Sequence, residues 1–240
     1  MTIHVPSRRL RLSPRIEVRL RHIGAEQQPL LVIDNVLDDP EAMIAAARTA
    51  GFYTPEHTHY PGVNAPLPEA YCQAVVTALR GPIEAAFGLS QSVGLNYFGF
   101  FAMATTPAVE AAPIQKLPHH DSADPGRLAM VHYLCHPPFR GTAFFRHKAT
   151  GFESVDAVRL GTFLRAAERE LTETASGPEA FARRDMAHFE AVGEAELKFN
   201  RLIIYRGHVL HSGLLDNDGA SADPGIGRLT ANGFIEAAGP

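Results

Sequence analysis

Two short segments constrain this chain more than any other feature. One is Pro118-His119-His120-Asp121. The other, about ninety residues later, is Tyr205-Arg206-Gly207-His208-Val209-Leu210-His211-Ser212-Gly213. In an extended segment, residues i and i+2 point to the same side, so His119 and Asp121 can converge on one ion while His120 points away. The second segment follows Asn200-Arg201-Leu202-Ile203-Ile204-Tyr205, an apolar strand that delivers His208 and His211 just beyond its end. Two imidazoles and one carboxylate on one face of an octahedron leave the opposite positions open. That arrangement suits a mononuclear non-heme Fe(II) that binds both a co-substrate and oxygen. Other readings exist: a His-His-Asp run is also a common polar loop, and His211 could be a hydrogen-bonded core histidine. His208 is the rival third ligand; three residues before His211 on an extended segment, it would face the opposite side.

The rest of the chain reads as helices first and strands second. Leu30-Leu31-Val32-Ile33-Asp34 is a buried strand. Asp38 or Asp39 caps a helix with Pro40 in its first turn, running to about Ala50. A second helix starts near Pro68, with Leu67, Tyr71, Val75, Leu79, Ile83 and Phe87 forming an apolar stripe. Gly81-Pro82 is expected to break it in two. From Val93 onward, apolar runs at Leu95–Met103, Leu128–Leu134, Thr142–Phe145, Leu202–Tyr205 and Leu229–Ile235 read as strands, separated by Gly and Pro clusters. Residues 155–197 interrupt the series. Leu164, Ala167, Leu171 and a Glu- and Ala-rich composition make that insert helical, with Gly177-Pro178 as a break. This pattern predicts a β-sandwich or short barrel buttressed by helices, within a single domain spanning 1–240.

Composition sets the outer bounds. Of 240 residues, 45% are hydrophobic and 20% charged, as in ordinary globular chains. A net charge of -4 argues against a nucleic-acid surface. Arg8, Arg9, Arg11, Arg15, Arg19 and Arg21 alternate with Leu10, Leu12, Ile16, Val18 and Leu20. They read as an early strand with a solvated basic face, the other reading being a docking surface for an acidic partner. The two cysteines, Cys72 and Cys135, make no disulfide framework, which fits a reducing cytoplasmic compartment. The opening Met1–Pro6 lacks the apolar core of a signal peptide. No apolar run approaches the ~20 residues that span a bilayer, so no membrane association is expected.

The last strand adds a third feature. Gly227-Arg228-Leu229-Thr230 alternates so that Arg228 and Thr230 share one side. A guanidinium is always charged and matches a carboxylate bidentately, and Thr230 could add a hydroxyl donor. Arg and Thr on a strand are also ordinary surface residues.

Together, His119-x-Asp121, His211 and Arg228-x-Thr230, in this order, resemble the 2-oxoglutarate and Fe(II)-dependent dioxygenases. The prolyl-4-hydroxylase-like branch is the most similar. The resemblance covers about residues 93–237, with residues 1–92 as supporting strands and helices. Pro118–Asp121, Gly141–Phe152 and Asn200–Gly213 also look like an uncharacterised bacterial family near those oxygenases. The resemblance implies a mainly β fold with flanking helices, the double-stranded β-helix or jelly-roll of the cupin-like barrels. It implies Fe(II) held by His119, Asp121 and His211, with 2-oxoglutarate anchored by Arg228 and Thr230. Tyr133 stands where such enzymes often place a phenol near the co-substrate, although it could be a core aromatic. The implied reaction decarboxylates 2-oxoglutarate to succinate and CO2 while hydroxylating a second substrate, a small molecule or a peptide. The family's usual His followed by small residues favours His211-Ser212-Gly213 over His208. Seventeen residues separate His211 from Arg228, longer than the usual gap, and the Asp- and Gly-rich stretch 216–227 reads as a loop insertion. The insert at 155–197 could be a lid, a substrate wall, or a surface that packs a partner subunit into a homodimer. Competing functions are a cupin-type metalloenzyme that does not use 2-oxoglutarate and a non-catalytic barrel used for binding. Arg228 discriminates the first, because a cupin has no need of a buried carboxylate anchor there.

Overall fold

Leu30, Val32, Leu31 and Ile33 show how the sheet is built. Strand alternation sends the first two to one side and the second two to the other. Both sides are buried, so both sets are apolar. The computed structural model describes residues 10–56, 58–90, 94–173, 187–215 and 220–237. Its elements in chain order are β1 (Glu17–Ile23), β2 (Gln28–Asp34), α1 (Glu41–Thr49), β3 (Gly62–Pro66), α2 (Glu69–Phe87), β4 (Leu95–Ala104) and α3 (Pro113–Lys116). They continue with β5 (Arg127–Tyr133), β6 (Thr142–His147), α4 (Ala157–Glu173), β7 (Phe189–Ala195), β8 (Arg201–Arg206), β9 (His211–Gly213) and β10 (Arg228–Ala237).

The strands form two antiparallel sheets, a seven-stranded one in the order β1-β2-β8-β5-β10-β4-β3 and a three-stranded one in the order β7-β6-β9. The chain passes back and forth between the sheets: β5 and β8 lie in the large one, β6, β7 and β9 in the small one, and β10 returns to the large one. This is the jelly-roll connectivity of a double-stranded β-helix, mainly β with helices on its flanks.

Three apolar layers hold it together. The inward residues Leu30, Val32, Ala129, Tyr133, Ile203 and Tyr205 of the large sheet meet Phe144 of the small one. Phe144 packs edge-on to Tyr205 with centroids 5.2 Å apart. On the outer face of the large sheet, Leu31, Ile33, Met130 and Ile204 pack against α1 and α2. Phe145, Leu210 and Val155 join Phe163 of α4 beyond the small sheet.

Several elements differ from the sequence expectation. α2 runs unbroken through Pro82. A proline inside a helix costs about 3 kcal/mol. Tyr71, Val75, Leu79, Ile83 and Phe87 are all buried along the same stripe, and each is worth about 1.5–3 kcal/mol, so packing wins. Gly81 also has no Cβ to clash with the proline ring. The N-cap position of α1 is Pro40, one or two residues beyond the aspartates expected there. Of the described residues of the insert, Ala157–Glu173 are helical as expected, but Phe189–Ala195 form β7, which pairs with β6 across a register shift at Phe144/Phe145. The Gly177-Pro178 break, Arg8 and Arg9 lie outside the described residues. β1 bears out the solvated face: Glu17 to His22 are exposed. Arg19 is drawn to Asp34 of β2 at 2.5 Å. No helix among the described residues is long and apolar enough to cross a membrane.

Candidate metal centre and its anion pocket

The site forms where the chain changes sheets. β8 ends at Arg206, the chain turns through Gly207, and β9 begins at His211 in the other sheet. His119 pairs with His211 as an antiparallel bridge, His119 N donating to His211 O at 2.9 Å and His211 N to His119 O at 2.8 Å. Two residues on, Asp121 N donates to Gly207 O at 2.8 Å, and Gly207 N donates to Arg127 O at 2.8 Å. Backbone bonds thus clamp the Asp121 loop onto the crossover. A Cβ on Gly207 would lie 3.2 Å from Arg127 O, so a larger residue would push the loop away.

The spacing expectation holds. Donor atoms of His119, Asp121 and His211 all lie within 4.8 Å of one another, and no other such group occurs among the described residues. His211 Nε2 is 3.5 Å from Asp121 Oδ2, and His119 Nε2 is 4.0 Å from Asp121 Oδ1. Neighbouring donors on an octahedron with ~2.1 Å bonds sit about 3 Å apart, so small side-chain rotations close the set onto an ion.

The tautomers fit as well. His119 Nδ1 lies 3.2 Å from Leu117 O, and His211 Nδ1 lies 2.9 Å from Val209 O. A carbonyl only accepts, so each Nδ1 carries the proton and each Nε2 presents its lone pair to the centre. Burial holds the His211 imidazole down to about pKa 4, with the Asp121 charge opposing, which keeps the ring neutral near pH 7. His120 turns away to meet Phe163 edge-on, as alternation requires. His208 is not part of the group. It is buried, its Nδ1 makes no hydrogen bond, and burial with Arg206 lowers its pKa.

A cavity of about 780 Å³ opens between the sheets and includes the triad. Arg228, Thr230, Asn232 and Phe234 follow one another along the inner face of β10 and line it. Arg228 is only 7% exposed. Its Nε donates to Arg140 O at 3.3 Å, and its Nη2 donates to Arg140 O and Gly141 O, both at 3.2 Å. Among the described residues no carboxylate pairs with it. The groups that sense its charge are Tyr60, Tyr133 and Cys135. Burial pushes their pKa values up to about 12, 12 and 11, although Arg228 pulls each down, so all three are neutral at pH 7. A buried guanidinium ringed by neutral groups favours an anion beside it.

The other expected residues are more committed. The Thr230 hydroxyl donates to Ala102 O at 3.2 Å, so its oxygen can accept but its proton is taken. Tyr133 is fully buried in the inter-sheet core. Its hydroxyl bonds Thr142 Oγ1 at 2.9 Å, and it is Thr142 that lines the cavity.

Three lining residues escaped the sequence reading. Tyr60 Oη, Asn64 Oδ1 and Asn232 Oδ1 are buried without a hydrogen-bond partner. Asn232 was within reach, since it continues the alternation of Arg228 and Thr230. Tyr60 and Asn64 carry no such signal, because β3 is a five-residue strand between prolines.

With this geometry in hand, comparison with known proteins is informative at the level of fold. The non-heme alpha ketoglutarate dependent epimerase SnoN from nogalamycin biosynthesis is similar, with 15% identity, a TM-score of 0.52, and coverage of 88% of this chain and 80% of SnoN. The carbocyclase SnoK from the same biosynthesis gives 14% identity and a TM-score of 0.47, covering 89% and 81%. An N-substituted L-amino acid dioxygenase from Burkholderia ambifaria AMMD gives 11% and 0.34, covering 88% and 82%. The likeness to SnoN is one of fold. No curated protein matches the chain. A sequence-family profile spans residues 14–235, the jelly-roll and its lead-in together, and by it the chain belongs to a family of unknown function, DUF6445.

Proposed function

We propose that this chain is a non-heme oxygenase that uses Fe(II) and 2-oxoglutarate to hydroxylate a small molecule, within the prolyl-4-hydroxylase-like branch of that superfamily. One observation carries the reading: a His, Asp and His set with both Nε2 lone pairs aimed inward shares its cavity with a buried Arg228 that no described carboxylate pairs with. A metal-only enzyme on this barrel has no use for that arginine, which disfavours the cupin-type alternative.

Iron and 2-oxoglutarate, when bound, would supply the oxidising chemistry together with dioxygen, whose two oxygen atoms end in succinate and in the product hydroxyl as the co-substrate loses CO2. The rest is the work of this chain's residues. His119, Asp121 and His211 would hold the metal on one face and leave the cavity side open. The carbonyls of Arg140 and Gly141 fix the Arg228 guanidinium, and Nη1 has no partner among the described residues. Arg228 would take the distal carboxylate of the co-substrate, with the Tyr60 hydroxyl as a neutral donor beside it. Phe100, Phe163 and Phe234 give the cavity apolar walls beside the centre. We place the enzyme in the cytoplasm, where Cys72 and Cys135 remain free thiols.

Aerobic incubation with Fe(II), ascorbate and 2-oxoglutarate tests this. Slow succinate formation is expected even without a second substrate, and it should vanish in His211→Ala. If iron-loaded protein forms no succinate, the reading fails and the cupin-type alternative takes its place.

A further inference from the structure

The charge inventory of the cavity narrows what the second substrate can be. Among the described lining residues only Asp121, Glu170 and Arg228 carry fixed charge. Each is already engaged or assigned. Asp121 faces the two Nε2 atoms. Glu170 pairs with His147 at 3.0 Å and with His188 at 3.5 Å. Arg228 is the anion anchor of the oxygenase reading, on which the present inference rests. A second molecule with its own charge would therefore find no free counter-ion among the described lining residues, and burying it unpaired is costly.

The walls point the same way. Phe100, Ile114, Leu117, Phe163, Phe189 and Phe234 all contribute. The α4 residues Phe163, Ala167 and Glu170 lie three and four apart, so one face of that helix forms a wall. A cavity of about 780 Å³ lies within the usual range for small-molecule sites and leaves room beyond the co-substrate.

One polar group in this apolar region lacks a partner. Asn232 projects between Thr230 and Phe234, with Phe100 opposite on β4 and Val131 opposite on β5. Its Oδ1 is buried and accepts no hydrogen bond. Buried polar atoms are normally satisfied, and Asn232 lines the cavity, so a turn of its side chain would bring this orphan to a ligand that donates.

We infer that the second substrate is an uncharged, largely apolar ring- or chain-bearing molecule whose hydroxyl or N–H donates to the Asn232 side chain. An alcohol suits this amide in either orientation, since it both donates and accepts.

A matched set of bicyclic probes tests the inference by equilibrium dialysis with naphthalene fluorescence: naphthylethanol, naphthylacetate, naphthylethylamine and ethylnaphthalene. The protein is zinc-loaded and saturated with 2-oxoglutarate, which is verified first with labelled co-substrate. Failure of the co-substrate to bind counts against the oxygenase reading, whereas the probe results on saturated protein bear on substrate class alone. The alcohol should bind about tenfold more tightly than either charged probe and about tenfold more tightly than ethylnaphthalene. Asn232→Leu should abolish the advantage of the alcohol over ethylnaphthalene and leave 2-oxoglutarate binding intact. Asn232→Asp, nearly the same shape, should turn the preference toward the amine. The inference is overturned if the acetate or the amine binds wild type as tightly as the alcohol. It is equally overturned if no probe binds saturated protein, or if the variants discriminate as wild type does.

Discussion

Removing the Arg228 guanidinium should separate co-substrate binding from metal binding. In the folded chain its Nε and Nη2 protons go to the carbonyls of Arg140 and Gly141, at 3.2–3.3 Å. No described residue takes the Nη1 protons, which can meet a ligand carboxylate. Hydrogen bonds to charged groups are worth about 1.5–3 kcal/mol each, so Arg228→Ala should weaken 2-oxoglutarate binding by at least ~2 kcal/mol, about 30-fold. Arg228→Lys should fall between, because one ammonium cannot hold both carbonyls and span a carboxylate. Tyr60→Phe removes a neutral hydroxyl and should weaken binding about 3–10-fold. Metal affinity should change little in all three, because the triad stands on other segments, at the 119–121 loop and β9. Calorimetric titration of 2-oxoglutarate into anaerobic Fe(II)-loaded protein reads the loss, and metal content of the same samples provides the control. Equal affinity in wild type and Arg228→Ala would take Arg228 out of the site and favour a metalloenzyme that dispenses with 2-oxoglutarate.

Two further predictions concern the fold that carries the site. Asp34 is 1% exposed and accepts from Arg201 at 2.6 Å, Arg19 at 2.5 Å and Lys198 at 3.2 Å. Asp34→Ala should cost about 3 kcal/mol in urea unfolding, because it leaves the largely buried Arg201 without its partner while the half-exposed Arg19 and Lys198 turn to solvent; a loss below ~1 kcal/mol would refute that account. His132 is fully buried between Tyr71 Oη at 3.0 Å and Asn200 Oδ1 at 3.1 Å, and burial lowers its pKa to about 4 although Asn200 raises it. A folded pKa below the free value of 6.5 means that its contribution is complete above pH 6.5 and is lost as the pH falls toward 4. Wild type should lose up to about 3 kcal/mol over that window relative to His132→Gln, and parallel pH profiles would contradict this.

The elements that were legible in the sequence are those whose signal is local. Continuous apolar runs mark β2, β5, β8 and β10 because both their faces are largely buried, and i, i+2 spacing puts His119 and Asp121 on one side. β7 was hidden, because Phe189–Ala195 is rich in Ala and Glu and only Ala195 of it is fully buried, so only its pairing with β6 makes it a strand. The continuity of α2 through Pro82 likewise depends on tertiary packing that no window of sequence contains. The choice between His208 and His211 was settled by the crossover, which sends His211 into β9 and leaves His208 behind it. Tyr60, Asn64 and Asn232 could not be weighted from sequence, since an unpartnered buried atom is defined only by what surrounds it.

The central claim is that His119, Asp121 and His211 hold one iron that 2-oxoglutarate can reach. Anaerobic addition of Fe(II) and then 2-oxoglutarate, followed by visible absorption, tests it most directly. Wild type should bind one iron per chain and develop a weak visible charge-transfer band only when both are present, while Asp121→Ala, still folded, should take up little iron and show no band. Failure of wild type to bind iron, or the same iron uptake and band in Asp121→Ala, would contradict the account.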